Sequence, residues 1–437
     1  DEGAAVSRNV FVIGLDDFNR RLLERVRGAD DYRFHGLLDV QRVAGRGPFD
    51  VPAMRAEAAA RLEDFAGAID AVVGFWDFPT QLLLALLRRD FKLVGPSLEA
   101  VLRCEHKYWA RLEQQAVAPD VVPDFAWLDP FDADADRAPP LPFPFWLKPV
   151  KAHSSLLGFH VGDRAGYRRA LAAIRRGIHV FAEPLGVFLA EADLLGEIAG
   201  LPHHACIAEQ IVSRGRQCTL EGYVRHGRAC VYGTVDSVRG PNRSSFSRYE
   251  FPSQLPQPVQ ARMRAIAGRV VEHAGLDDTP FNIEFYYEEA ADRLWLLEVN
   301  VRISKSHSPL FEKVTGIPHN EVMIDVALDR DPDYPPADGR FRHAAKFMPR
   351  HYGHDDDAVV TKVPSPAELA ELEARFPGTD IQMHLEPGMR LGDIRHRDSY
   401  SYELATIFMG ADSRERLMAD YRRLWQQMDI RIEETPA

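Results

Sequence analysis

Two neighbouring stretches near residue 290 alternate so regularly that they constrain the fold more than any other part of the chain. Each predicts a β-strand with polar residues on one face and apolar residues on the other, because successive strand side chains point to opposite faces. A turn at about residues 288–292 separates them, so pairing would bring their polar faces together. The polar faces carry Asn282, Glu284 and Tyr286 on the first strand and Glu298, Asn300 and Arg302 on the second, while Trp295, Leu297, Val299 and Val301 take the opposite face.

The polar faces predict a metal site. Carboxylate and amide oxygens from Glu284, Glu298 and Asn300 form a hard ligand set that suits Mg²⁺. Arg302 would stabilise negative charge that develops beside the metal. The alternative interpretation is a solvated hairpin face with one surface ion pair.

A second pattern is an apolar strand that ends in a lysine and a polar loop. The apolar strand at residues 145–150 contains Lys148, and small or polar residues follow at 151–155. The loop amides and the Ser154 and Ser155 hydroxyls would cover nucleotide phosphates, although no Walker A sequence is present. The alternative is an ordinary turn with a solvated lysine.

A third pattern offers walls for a nucleoside. An apolar strand at residues 206–212 carries Glu209 and Gln210, and the next strand carries Glu221. Adenine needs apolar walls and a few hydrogen bonds, and ribose needs an acceptor such as a carboxylate. A plain edge hairpin is the alternative.

These patterns occur in the order that is typical of one family, and the chain resembles the ATP-grasp superfamily of carboxylate–amine ligases over roughly residues 95–435. The resemblance rests on Lys107, Lys148-Pro149, Glu209-Gln-Ile-Val212, Glu221-Gly-Tyr-Val-Arg-His-Gly227, Asn282-Ile-Glu284, Glu298-Val-Asn-Val-Arg302 and Thr315-Gly-Ile-Pro318.

The resemblance implies a role for each matching residue. ATP and two Mg²⁺ ions, or Mn²⁺ in their place, would bind, with loop 152–158 as part of a lid. Lys107 and Lys148 would contact the phosphates. Glu209 and Val212 would line the adenine, with Gln210 nearby through its backbone, and Glu221 would face the ribose. The metal would be bound by Glu284, Glu298 and Asn300, and Arg302 would hold the acyl phosphate and the oxyanion.

It also implies an α/β architecture, the ATP-grasp fold with a Rossmann-like lead-in domain at 1–95. The nucleotide-binding and catalytic region would span 96–330, with a lid subdomain at about 145–215. A C-terminal α/β module at 340–437 would complete the active site. Locally, the sequence predicts a fourth lead-in strand at 92–94 and one helix from 97 to about 115, with Ser97 as its N-cap.

Composition narrows the partners. The formal net charge of −12 argues against nucleic acid or an anionic membrane as the main binding partner. The sequence contains no apolar run long enough to predict a membrane span. Four widely spaced cysteines favour a reducing cytoplasm over a disulfide scaffold. The sequence is compatible with a homodimer. Only eight of the 53 basic residues are lysines, so each lysine merits attention.

The predicted function is an ADP-forming ligase that makes a C–N bond, joining a small carboxylic acid to an amine, with amino acids as the expected substrates. The alternatives are an ATP-dependent carboxylase that uses bicarbonate and a non-catalytic ATP-binding regulator. The family's usual glycines after the arginine are replaced here by residues 303–309, and Gln217 stands where glutamate is common. Residues expected to border the substrate are Lys305, His307, Arg239, Arg243 and Arg248.

Overall fold

The structure, a computed structural model, describes residues 7–45, 47–152, 156–212, 214–336, 338–353, 355–398 and 400–433. Its N-terminal region is a parallel three-stranded sheet in the order β2-β1-β3 with helices packed around it. Apolar strand residues such as Val10 and Val12 are fully buried there. The elements are β1 Arg8–Ile13, α1 Asp17–Leu23, β2 Tyr32–Leu37, α2 Val40–Val43, α3 Val51–Glu63, β3 Ala71–Val73 and α4 Thr80–Asp90.

The predicted fourth strand at 92–94 is wrong. Lys92 has a left-handed φ of 56° and Leu93 N–H donates to the Arg88 carbonyl, so these residues terminate α4. Arg88 Nε also donates to the Val72 carbonyl on β3, which occupies a backbone acceptor at the edge that a fourth strand would use.

The next region is a four-stranded antiparallel sheet in the order β4-β7-β5-β6. Its helix at 97–115 differs from the prediction, since His106 adopts an extended backbone (φ −80°, ψ 105°) and divides the segment in two. Ser97 does cap the first helix. The elements are α5 Leu98–Glu105, α6 Lys107–Val117, β4 Phe125–Leu128, β5 Phe145–Pro149, β6 Phe159–Val161, α7 Arg164–Gly177, α8 His179–Leu189 and β7 Cys206–Gln210.

An eight-stranded antiparallel sheet forms the centre of the molecule, in the order β12-β11-β8-β9-β10-β13-β18-β16. Strands from residues 216–300 and strands from residues 343–411 therefore belong to one sheet. Its first part contains β8 Arg216–Arg225, β9 Arg228–Arg239, β10 Phe246–Phe251, α9 Gln257–His273, β11 Thr279–Glu288, β12 Arg293–Asn300, α10 Ser308–Thr315 and α11 Asn320–Ala327.

The C-terminal region completes this sheet and adds two small ladders, β14 with β17 and β15 with β19. None of the helices in the described ranges combines the length and the apolar character that crossing a membrane requires. The elements are β13 His343–Phe347, β14 Arg350–Tyr352, β15 Val359–Lys362, α12 Pro366–Arg375, β16 Asp380–Met383, β17 Ser401–Glu403, β18 Ala405–Ala411, α13 Arg414–Trp425 and β19 Arg431–Glu433.

The hairpin of β11 and β12 pairs as predicted, with Glu284 opposite Glu298, but its alternation is interrupted. The register shifts between Glu284 and Phe285, so Leu297 is an extra residue on β12. Leu297 consequently lines a cavity instead of sharing the core face with Val299, and Leu296 enters the core.

Candidate nucleotide and metal site

A cavity of about 1390 Å³ has walls from α6, the four-stranded sheet and strands β8 to β12. Apolar lining comes from Trp146, Leu156, Val212 and Leu297. The cavity brings together residues predicted from widely separated segments: Lys107, Lys148, Glu209, Gln210, Val212, Arg239, Arg243, Arg248, Glu284, Glu298, Asn300 and Arg302.

The break at His106 gives α6 its own N-terminus at the cavity. His106 Nδ1 accepts from Trp109 N–H at 3.2 Å, and Lys107 is the first helical residue. Lys107 Nζ donates to the Ala152 carbonyl at 3.2 Å and lies 3.9 Å from Glu298 Oε2. Burial lowers the pKa of Lys107 to about 8 despite the nearby Glu298 carboxylate. A helix N-terminus with a lysine at its first position is well suited to bind an anion.

Glu209 holds the second lysine. Lys148 Nζ lies 2.5 Å from Glu209 Oε2, and Arg111 Nε donates to Glu209 Oε1 at 2.7 Å. Burial opposes ionisation of Glu209, but the charges of Arg111 and Lys148 outweigh it and lower the pKa to about 2. Arg111 also donates to the carbonyls of Leu296 and Leu297, which ties α6 and β7 to β12.

The predicted metal ligands lie on adjacent strands at the cavity wall. Burial, with a contribution from the Glu298 charge, raises the pKa of Glu284 to about 7. Gln217 Nε2 donates to Glu284 Oε2 at 2.9 Å. Two carboxylates that face each other in this way are mutually destabilising until a cation lies between them, so the donor set fits a divalent metal.

Gln217 joins the metal face to the arginines. While its amide nitrogen donates to Glu284, its oxygen accepts from Arg239 Nη2 at 2.9 Å. The same guanidinium donates to the Tyr286 hydroxyl at 3.2 Å. A glutamate in place of Gln217 would add a third carboxylate and remove the donor to Glu284.

Asn300 and Arg302 are fixed by two different partners. Asn300 Nδ2 donates to Asn282 Oδ1 at 3.0 Å. β12 ends at Asn300, and Arg302, just beyond the strand, donates to Asp77 Oδ1 from Nε at 2.9 Å and from Nη2 at 2.5 Å. Asp77 follows β3, so the N-terminal region orients this guanidinium.

Three of the predicted residues, Glu221, Lys305 and His307, do not line the cavity. Glu221 is fully buried, with His307 Nδ1 at 2.7 Å and Ser304 N–H at 3.4 Å from its carboxylate. Lys305 packs over Trp76. Ser154 and Ser155 lie outside the described residues.

Sequence reasoning missed Arg111, Asp77 and the bridging role of Gln217. Arg111 had a usable signal, because it lies four residues after Lys107 and therefore on the same helix face. No local sequence signal indicated Asp77, because its partner Arg302 is more than two hundred residues away.

Parts of the chain are similar to known proteins. Residues 226–332 match the family model "Carbamoyl-phosphate synthase L chain, ATP binding domain". This part of the chain, which contains β11 and β12, is therefore similar to the ATP-binding domain that the model describes. It is 31% identical over 195 residues to the carbamoyl phosphate synthase large chain of Thermotoga neapolitana, covering 42% of this chain and 16% of that protein. It is 25% identical over 279 residues to urea amidolyase of Lachancea kluyveri, covering 62% of this chain and 14% of that protein. The chain thus spans less than a fifth of the length of either relative.

Three solved structures resemble nearly the whole chain in fold. L-amino acid ligase from Bacillus licheniformis superposes with a TM-score of 0.70 at 17% identity, covering 97% of this chain and 98% of that one. Biotin carboxylase from Campylobacter jejuni, in a β,γ-ATP complex, gives 0.63 at 16% identity, with coverages of 97% and 92%. N5-carboxyaminoimidazole synthase from Aspergillus clavatus gives 0.64 at 14% identity, with 97% and 99%. At these identities the likeness establishes the fold.

Proposed function

We propose that the chain is an ATP-dependent carboxylate–amine ligase that releases ADP and phosphate and forms an amide. The observation that carries the proposal is the convergence on one cavity of two lysines, two facing carboxylates and Arg302. A substrate carboxylate would attack the terminal phosphate of ATP to give an acyl phosphate and ADP. An amine would then displace the phosphate and form the C–N bond.

Lys107 and Lys148 would bind the phosphates, with the amide groups at the start of α6 adding to their charge. Glu209 would keep Lys148 oriented. Glu284, Glu298 and Asn300 would hold Mg²⁺, which neutralises phosphate charge when it is bound. The proposed domains, 1–95, 96–330 and 340–437, would surround this site.

Arg302 would hold the acyl phosphate and the oxyanion formed on attack by the amine. A guanidinium presents five donors in a fixed fork, so it can keep its bond to Asp77 and still bind an oxyanion. Asp77 would therefore act as a positioning residue.

A carboxylase that uses bicarbonate as its acid is the second candidate. It is favoured by the match of residues 226–332 to the carbamoyl-phosphate synthase model and by the fold shared with biotin carboxylase. The phosphate and metal residues would act identically, and only the acid would differ.

ADP release decides between the candidates. The protein is assayed with MgATP and each amino acid alone, with pairs of amino acids, and with bicarbonate with and without each amine. A ligase requires both an organic acid and an amine, whereas a carboxylase responds to bicarbonate. ATP binding without ADP release under every condition would contradict both and support a non-catalytic regulator.

A further inference from the structure

Two lysines near Arg302 form no ion pair with any residue that the structure describes, whereas the other sequestered lysines do. Lys305 Nζ lies 4.4 Å from the centroid of the Trp76 ring, and no ion pair or hydrogen bond is made to it by any described residue. Lys346 Nζ lies 3.5 Å from Ser306 Oγ and 5.8 Å from the centroid of the Tyr249 ring. Both ammonium groups are thus placed over aromatic faces.

The remaining lysines are either exposed or paired with a carboxylate. Lys92 is exposed. The others form ion pairs: Lys107 with Glu298, Lys148 with Glu209, Lys151 with Glu105, Lys313 with Asp380 and Lys362 with Asp429. Glu403, the acid whose charge acts on Lys346, is already bound by Arg350 at 3.2 Å and by Thr406 at 2.6 Å.

The two charges also oppose each other. Burial lowers the pKa of Lys305 to about 8, and the Lys346 charge lowers it further. Burial likewise lowers the pKa of Lys346. The carboxylates that attract Lys305, Asp16 and Asp77, are themselves bound by the Asn19 N–H and by Arg302. Sequestering two like charges without a direct ion pair is unfavourable, and an anion between them would relieve that cost.

We propose that Lys305 and Lys346, with the Trp76 ring, bind an oxyanion, either a carboxylate or a phosphate, at the end of the substrate remote from its reacting carboxylate. This inference rests on the proposed function. Lys305 lies three residues beyond Arg302, and Trp76 adjoins Asp77, so the lysine pair borders the place where the acid would be activated. The substrate class is therefore an acid with a second anionic group.

The test uses protein saturated with Mg²⁺ and a non-hydrolysable ATP analogue, so that the nucleotide phosphate site is filled. Inorganic phosphate and succinate are titrated separately by calorimetry into wild type, Lys305→Met, Lys346→Met and the double variant. Methionine keeps the apolar stem and removes the charge. Each single variant should lose about tenfold or more in anion affinity, the size expected for one charged hydrogen bond. The tighter of the two anions in the wild type identifies the substrate's terminal group.

Lys313→Met is the matched control, because this lysine is similarly covered but paired with Asp380 at 2.6 Å. Its anion affinity should not change. Melting temperatures separate binding from folding: the Lys305 variant should be as stable as wild type or more stable, since a buried charge that forms no direct ion pair is removed. If it does not fold, Lys305→Gln replaces it.

Wild-type anion affinity that survives in the double variant would overturn the lysine-pair proposal, as would a wild type that binds neither anion. Failure of the proposed function is a different result, namely no binding of the ATP analogue. In that case the anion titrations are repeated on protein without nucleotide, in the Lys148→Ala background, and the lysine pair is still judged by the same loss of affinity.

Discussion

At the scale of single residues, the proposed chemistry depends on the pair Glu284 and Glu298, which face each other across the hairpin. Glu298→Gln keeps the size of the side chain but removes one charge from the proposed metal site. Turnover should fall at least about 100-fold, because metal charge neutralisation contributes several kcal/mol to the transition state. Steady-state ADP release measures the loss, and the melting temperature should stay close to that of wild type.

Glu289→Gln is the matched control, since Glu289 is exposed in the turn of the same hairpin. It should retain full activity. Near-normal turnover of Glu298→Gln would remove Glu298 from the metal site.

A substitution at Arg302 distinguishes formation of the acyl phosphate from its reaction with the amine. Arg302→Lys keeps the positive charge but loses the fork that binds Asp77 and an oxyanion together. Binding of the ATP analogue should be close to normal, while product formation should slow about 100-fold, as when an oxyanion donor is removed. Hydroxylamine trapping reports whether acyl phosphate still forms.

Arg262→Lys controls for the substitution itself, because Arg262 pairs with Asp292 at the surface. Lost ATP affinity with unchanged chemistry would contradict the role of Arg302. Reduced stability with an unchanged rate per folded molecule would indicate that the Asp77 pair is only structural.

At the scale of elements, one buried network connects β8 to the segments that begin α10 and α11. Glu221 on β8 shares a 2.7 Å hydrogen bond with His307. His319 Nε2 donates to the Ser304 carbonyl at 3.0 Å, and the Tyr232 hydroxyl donates to His319 Nδ1 at 3.0 Å. The network therefore fixes the segment that follows Arg302.

This network predicts a pH dependence of stability. Burial raises the folded-state pKa of Glu221 to about 7, with opposing influences from His319, the Ser304 amide and Arg302. Between the ordinary glutamate pKa and about 7, the unfolded chain is ionised while the folded protein keeps its proton. Glu221 therefore costs increasing stability as the pH rises through this window.

Glu221→Gln removes that cost. The melting temperature of the variant minus that of wild type should therefore increase from pH 5 to pH 7.5. Glu272→Gln serves as a control, since Glu272 is exposed on α9 and its difference should stay flat. A difference for Glu221→Gln that falls with pH would show that Glu221 is ionised throughout.

The sequence predicted elements best where the signals were local. The capping of α5 was predicted correctly, because Ser97 directly precedes the helix and its hydroxyl accepts from the Ala100 N–H. The prediction missed the break at His106 and the extra residue at Leu297. Both depend on neighbours from elsewhere: Lys107 N–H donates to the Val150 carbonyl, and Leu297 O accepts from Arg111.

The site was predictable from the sequence where its residues lie on strands with alternating polar and apolar side chains. Glu284 and Glu298 follow from period-two alternation and come to lie opposite each other. Long-range ion pairs were not predictable, because the partner of Arg302 is set by how the N-terminal sheet packs. Burial of Glu221 was missed for the same reason, since its alternation alone does not show which face is closed by α11.

At the scale of the whole molecule, the cavity is assembled from every region of the chain. Asp77 comes from the N-terminal region, Lys107 and Lys148 from the region around the four-stranded sheet, and Tyr400 and Arg414 from the C-terminal region. A ligand that fills this cavity contacts all of these regions at once. Its binding should therefore stabilise the fold as a whole.

The whole-molecule prediction is that a non-hydrolysable ATP analogue with Mg²⁺ raises the melting temperature by mass action. At 100 times its Kd, a ligand that binds only the folded state adds about 2.7 kcal/mol. Lys148→Ala should reduce the shift at the same analogue concentration. Arg111 continues to neutralise Glu209 in this variant, so the lysine is removed without leaving that carboxylate unpaired. Lys362→Ala, at an ion pair with Asp429 and outside the cavity lining, should show the wild-type shift. Equal shifts in wild type and Lys148→Ala would place the phosphates away from Lys148, whereas no shift in any of the proteins would mean that the cavity does not bind ATP.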